Sequence, residues 1–121
     1  MKKKLLIIGS SKIVEEHIKS ALKAGFKLYS LNSSRLKSKN EYRINKKYKF
    51  EKKFDNWKIA LNSAFKNKSI SLLLAPKFSL TLRILKYALR GNNFILVEKP
   101  VSTKISELKK LSKFSKRIYV M

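Results

Sequence analysis

Four short segments hold the residues with the most chemical potential. The first is Gly9-Ser10-Ser11-Lys12-Ile13-Val14, directly after the apolar run Leu5-Leu6-Ile7-Ile8. A glycine at the end of a buried strand permits a tight turn, and a helix opening after it presents free N–H groups to an anion. Ser10, Ser11 and Lys12 add hydroxyls and an ammonium to that environment. The pattern is a reduced form of G-x-G-x-x-G. The first glycine is kept, Ser11 stands at the second position and Val14 at the third, so by itself the signal is weak. The second segment is Ser33-Ser34-Arg35. It stands where an acidic residue would grip a ribose 2′-hydroxyl, and hydroxyls with a guanidinium suit a 2′-phosphate instead. A solvated turn explains the same three residues equally well. The third is Ala75-Pro76 after the run SISLLLA, and the fourth is Glu98-Lys99-Pro100 after FILV.

The elements that must position these segments follow from periodicity. Lys4 to Ile8 is a short continuous apolar run, as in a strand buried on both faces of a parallel sheet. Ile13, Val14, Ile18, Ala21 and Leu22 recur at helical spacing over Lys12 to Ala24, and Gly25 stops that helix. Phe26 to Leu31 reads as a second strand. The polar, basic stretch Arg35 to Lys53 reads as irregular or weakly helical, with a short edge strand near Tyr48-Lys49-Phe50. Asp55 or Asn56 can cap a helix carrying Trp57 to Phe65. Ser69 to Ala75 is the strongest strand, and Pro76 ends it. A helix over Ser79 to Arg90, a strand over Asn93 to Glu98, a helix over Thr103 to Phe114 and a last strand over Arg117 to Val120 complete the reading. Strands alternating with helices predict an α/β fold: a doubly wound, mostly parallel, Rossmann-like sheet with helices on both faces, as one domain over residues 1–121. Ligands bind such sheets beyond the carboxyl ends of the strands. All four segments fall there.

Composition limits the alternatives. The chain has 121 residues, no cysteine and one histidine, His17, so disulfides and thiolate or multi-histidine metal sites are excluded. His17 reads as a packed or half-buried residue with no catalytic role of its own. No stretch approaches the ~20 apolar residues of a membrane span, and the four-residue run near the N-terminus is too short for a signal peptide. The expected location is cytoplasmic, with no membrane partner. The formal net charge is +23, which attracts polyanions. The basic residues are mostly Lys and are spread over the whole length, amid abundant Ile, Asn and Ser. An AT-rich coding bias accounts for that spread better than a nucleic-acid function does.

With these elements in place, the segment Asn93 to Ser102 (NFILVEKPVS) resembles the signature of the Gfo/Idh/MocA family (glucose-fructose oxidoreductase, inositol dehydrogenase). Leu5 to His17 resembles that family's opening strand, glycine turn and histidine-bearing helix. Phe54 to Trp57, and Leu72 to Pro76 with Leu80 to Leu89, follow its order and spacing. The resemblance covers essentially the whole chain and implies a nucleotide-binding Rossmann domain that holds a nicotinamide dinucleotide. It makes Lys99 the residue beside the nicotinamide and the reacting hydroxyl, with Glu98 positioning the site and Pro100 fixing the backbone. Gly9, Ser10, Ser11, Lys12, Ile13, Ser33, Ser34, Arg35, Ala75 and Pro76 complete the expected cofactor set. The serines and Arg35 lean the expectation to NADP over NAD. Two departures stand out. Leu80 occupies a position where the family often has histidine, and the link between Gly91 and Glu98 is one residue longer than usual.

The family continues into a second domain that binds a sugar, sugar-nucleotide or cyclitol substrate. The expectation is therefore a partial or truncated oxidoreductase, weak in cofactor binding and with little turnover. Its partner is a separate domain of that type or a second copy of the chain. The alternative expectation is a non-catalytic, basic Rossmann-like domain that binds a polyanion such as RNA through Arg35 to Lys53.

Overall fold

The computed structural model describes residues 3–34, 38–98 and 116–120. The helix read over 103–114, and the residues Arg35, Lys99 and Pro100, lie outside that set. Five strands form one parallel sheet in the order β2-β1-β3-β4-β5. The strands are β1 (Lys4–Ile8), β2 (Lys27–Asn32), β3 (Ile70–Leu74), β4 (Ile95–Val97) and β5 (Ile118–Val120). Among the described residues four helices accompany them: α1 (Lys12–Lys23), α2 (Lys39–Lys47), α3 (Trp57–Ala64) and α4 (Phe78–Ala88). None of the helices among the described residues is long and apolar enough to cross a membrane.

The sheet is covered on both faces because its strands are apolar on both faces. Successive side chains of a strand point to opposite sides. Leu6 and Ile8 of β1 join Leu72, Leu74, Ile95 and Val97 beneath α3 and α4. Leu5 and Ile7 join Leu73 beneath α1 and α2, where Val14, Ile18 and Ile44 are buried. One irregularity breaks the alternation. Leu5 lies opposite Leu28 but Leu6 lies opposite Ser30, so β2 carries an extra residue at Tyr29. That insertion is why Leu28 and Leu31, three apart, pack on the same face.

The region after β2 departs from the sequence expectation. Residues 39–47 form a regular helix, neither irregular nor weakly helical. Ser38 is its N-cap and accepts from the Glu41 N–H at 3.2 Å, one half of a Ser-x-x-Glu capping box. No strand forms over Tyr48 to Phe50. The N–H groups of Glu51 and Lys52 donate to the Leu28 and Tyr29 carbonyls at 3.0 and 2.8 Å. Two successive N–H groups aimed at the same neighbour require a turning backbone, since an extended strand alternates them. This turning segment lies along the outer edge of β2. The remaining boundaries fall within a few residues of the sequence reading, and Asn56 is the α3 cap, accepting from the Ile59 N–H at 2.9 Å.

Asn93 fastens the β3 side of the sheet to α3. Its side chain is buried, and its Nδ2 donates to the Ala64, Asn67 and Ile70 carbonyls at 3.0, 3.0 and 2.8 Å. The Ala64 and Asn67 carbonyls also accept turn bonds from the Asn67 and Ile70 N–H groups, and Ile70 opens β3, so the amide joins the helix end, the turn and the strand.

Candidate functional site

The strand order reverses at β1. The chain leaves it leftward to β2 and returns to β3 on its other side. In-register pairing sets Ile8 beside Leu74 and Asn32, and Leu74 beside Val97. The residues that follow β1, β2, β3 and β4 therefore share one edge of the sheet. A cleft of about 500 Å³ opens there, at the switch point. Gly9, Ser10 and Ser11 line it from the first turn, Ser33 and Ser34 from the end of β2, and Ala75 and Pro76 from the end of β3.

Gly9 is required by this arrangement. Its φ is 128°, a conformation that residues with a Cβ rarely adopt. A Cβ there would be driven into the Ala75 carbonyl, with Pro76 N at 3.2 Å. The backbone cannot retreat. The Gly9 N–H donates to the Asn32 carbonyl at 2.8 Å, and the Ala75 N–H donates to the Ile8 carbonyl at 2.8 Å. The end of β1 is thereby held against the end of β3.

Seven of the sequence-predicted residues thus meet in one cleft. Lys12 and Ile13 do not join its lining. Both are exposed on the first turn of α1. Glu98 is also outside the lining, and Arg35, Lys99 and Pro100 fall outside the described residues. Three lining residues were missed by sequence reasoning: Ser38 and Lys39 from the start of α2, and Lys77 before α4. The Ser38-to-Glu41 capping box is the signal that would have placed α2 there. Ser38 Oγ lies 3.0 Å from Ser10 Oγ, and Asn40 Nδ2 donates to the Ser10 carbonyl, so α2 is tied directly to the first turn. Glu41 accepts from the Ser33 N–H at 3.1 Å and fixes the end of β2 in the same way.

The donor set suits phosphate. Ser11 is the N-cap position of α1, yet its hydroxyl makes no capping bond. Serine hydroxyls, the Lys39 and Lys77 ammonium groups and the N-termini of α1, α2 and α4 surround the cleft, and among the described residues no carboxylate lines it. Helix N-termini and cations both favour an anion. Among the described residues no cluster of three or more His, Cys, Asp or Glu could hold a metal ion.

His17 and Glu98 form a link the sequence did not disclose. His17 Nε2 and Glu98 Oε2 are 2.8 Å apart, with side chains 23% and 32% exposed. The half-buried histidine of α1 therefore holds the residue that leads out of β4. A second cluster joins α1 to α2. Glu15 accepts from Arg43 Nη2 at 2.9 Å, Lys47 Nζ at 2.6 Å and the Tyr48 hydroxyl at 2.8 Å. These donors hold the Glu15 carboxyl down at about 2, below its ordinary 4.5, Lys47 contributing most. The same bonds raise Lys47 and Tyr48 above their usual values.

No protein-family model matches the sequence, and no curated protein matches it by sequence. Solved structures do match. The chain superimposes on an oxidoreductase from Thermotoga maritima with a TM-score of 0.78 at 22% identity, over 99% of this chain and 38% of that one. The chain has the fold of Gfo/Idh/MocA-type oxidoreductases. The myo-inositol dehydrogenase of Lactobacillus casei, solved with NAD(H) and myo-inositol, gives 0.78 at 17% identity, over 99% of this chain and 36% of that one. The biliverdin reductase of Synechocystis, solved with biliverdin and NADP+, gives 0.79 at 16% identity, over 97% and 37%. The chain thus spans little more than a third of the length of these structures.

Proposed function

We propose that this chain is the nucleotide-binding part of an NAD(P)-dependent oxidoreductase of the Gfo/Idh/MocA type, working in the cytoplasm. The observation that carries the reading is the serine-rich cleft at the switch point, bounded by three helix N-termini and, among the described residues, free of carboxylates. Its donors fit a dinucleotide. Ser10, Ser11 and the opening turn of α1 hold the pyrophosphate. Ser33, Ser34 and Lys39 face the adenosine ribose, which favours NADP, and Ala75 and Pro76 form the opposite wall. The bound nicotinamide supplies hydride transfer.

The chain's own residues orient and exclude. His17 steadies Glu98 at the exit of β4, and the next residue in the sequence, Lys99, is by family resemblance the one that would hold or move the proton of a substrate hydroxyl. The substrate is a sugar, sugar-nucleotide or cyclitol hydroxyl. The remaining walls of the pocket come from a further domain of the kind that the longer structures of this fold have room for.

Titration with NADPH and NADH, followed by energy transfer from tryptophan to nicotinamide, tests this. The expected result is saturable binding, tighter for NADPH. Lys39→Glu places a carboxylate in the cleft and is expected to weaken NADPH by about tenfold or more, the effect of a charge-assisted contact turned repulsive. Lys23→Glu, at the far end of α1, should leave it within about twofold, as expected of a screened, distant charge. Absence of saturation for both cofactors at millimolar concentration overturns the proposal.

A further inference from the structure

A different face of the molecule carries a second basic site. Trp57, the chain's one tryptophan, opens α3 and meets Tyr87 of α4 edge-on, with ring centroids 5.5 Å apart at 88°. The two half-buried rings lie in a shallow groove of about 560 Å³ that Lys58, Arg83, Lys86 and Arg90 also line. The Arg90 guanidinium sits 4.3 Å above the Tyr87 ring. The Lys58 ammonium lies 5.7 Å from the Trp57 ring and 5.8 Å from that of Tyr87. Tyr87 is held in place by its hydroxyl, which donates to Asn62 Oδ1 at 2.8 Å. Among the described residues no carboxylate lines this groove.

Its composition departs from that of the chain. Five of the 30 basic residues are arginine, and two of those five stand here beside the one tryptophan. A lysine-rich bias explains scattered lysines. It does not explain arginines gathered around an edge-on aromatic pair, the combination of residue types that recognises phosphate and base together. The stretch 35–53, the sequence-level candidate for polyanion binding, is organised otherwise. Its Arg43, Lys47 and Tyr48 converge on the Glu15 carboxylate.

We propose that the α3–α4 groove binds single-stranded nucleic acid. A base stacks against the Trp57 indole, and Lys58, Arg83 and Arg90 contact the flanking phosphates. The site is independent of the dinucleotide cleft. The cores beneath the two sheet faces place α3 and α4 on the side opposite α1 and α2.

The test is fluorescence anisotropy of a labelled 12-nucleotide oligouridylate with the full chain, together with quenching of Trp57 emission. The expected result is quenching that tracks binding, and an affinity that falls steeply with salt. Arg83→Glu/Arg90→Glu should weaken binding by about tenfold or more and lower the salt slope by about 2. Lys19→Glu/Lys23→Glu changes net charge equally on the opposite, α1 side, and should weaken binding by no more than about threefold, the share due to overall charge. All four side chains are exposed, and circular dichroism confirms folding of both variants. Equal losses in the two variants, or binding without Trp57 quenching, would show attraction by net charge alone and overturn the site. Equal competition by polyglutamate would overturn the assignment to nucleic acid.

Discussion

Replacing Gly9 by alanine tests whether the first turn is as tightly determined as its geometry implies. Two penalties act together. The backbone holds φ at 128°, and forcing a residue with a Cβ to keep such a conformation costs about 1–3 kcal/mol. The new methyl also runs into the Ala75 carbonyl, and overpacking of this kind adds about 1–3 kcal/mol. Relaxation is opposed on both sides by the Gly9–Asn32 and Ala75–Ile8 backbone bonds. A loss of about 4 kcal/mol is expected, a large fraction of the ~5–15 kcal/mol that holds a domain of this kind together. Gly25→Ala is the internal control. Its φ is also positive, at 88°, but a Cβ there meets nothing within 4 Å. It should lose only the backbone share, about 1 kcal/mol. Urea unfolding followed by circular dichroism measures both. If Gly9→Ala proves no worse than Gly25→Ala, the close approach of β1 to β3 is not what fixes that glycine, and the argument for the turn fails.

Three further outcomes are expected. Because the folded-state pKa of Glu15 is depressed to about 2 from 4.5, its stabilisation is complete above about pH 4.5 and is lost as pH falls towards 2; thermal melts across that window should show a component that Glu15→Gln abolishes. Asn93→Leu takes the buried amide donor from the Ile70 carbonyl, while the Ala64 and Asn67 carbonyls keep their turn bonds, and should lower unfolding stability by about 1–3 kcal/mol; a urea midpoint unchanged from wild type would contradict it. A double-mutant cycle of His17→Phe and Glu98→Gln should return a coupling of about 1 kcal/mol, modest because both side chains are partly exposed; a coupling indistinguishable from zero would mean the pair does not tie α1 to β4.

The strands were legible because each is a continuous apolar run, and burial on both faces of a parallel sheet leaves that mark. Gly25 and Asn56 were legible because helix ends need special chemistry. Helix α2 was not, since it buries only Ile44 and its polarity masked a capping box in plain view at Ser38 and Glu41. The strand expected at Tyr48 to Phe50 failed for a related reason. Aromatic residues in a basic stretch signalled β structure, whereas Tyr48 serves the Glu15 cluster. Of the site, the turns after β1, β2 and β3 followed from strand order alone. Lys39 and Lys77 did not, because their approach depends on where α2 and α4 begin. The His17–Glu98 pair depends on packing between distant parts of the chain, which no local pattern encodes.

The pairing of β1 also bears on how the molecule is assembled. Its first neighbour, β2, comes after a single helix. Its second, β3, arrives only after α2 and α3 have been made, with Lys4 finally beside Ile70. Until then the nascent chain carries a bare hydrogen-bonding flank along Leu5 to Ile8, the most apolar stretch at its start. Pairing that closes so large a loop is slow, and an uncovered flank of that kind is sticky. Recovery of this protein from unfolded chains should therefore depend on dilution, with yield falling as concentration rises.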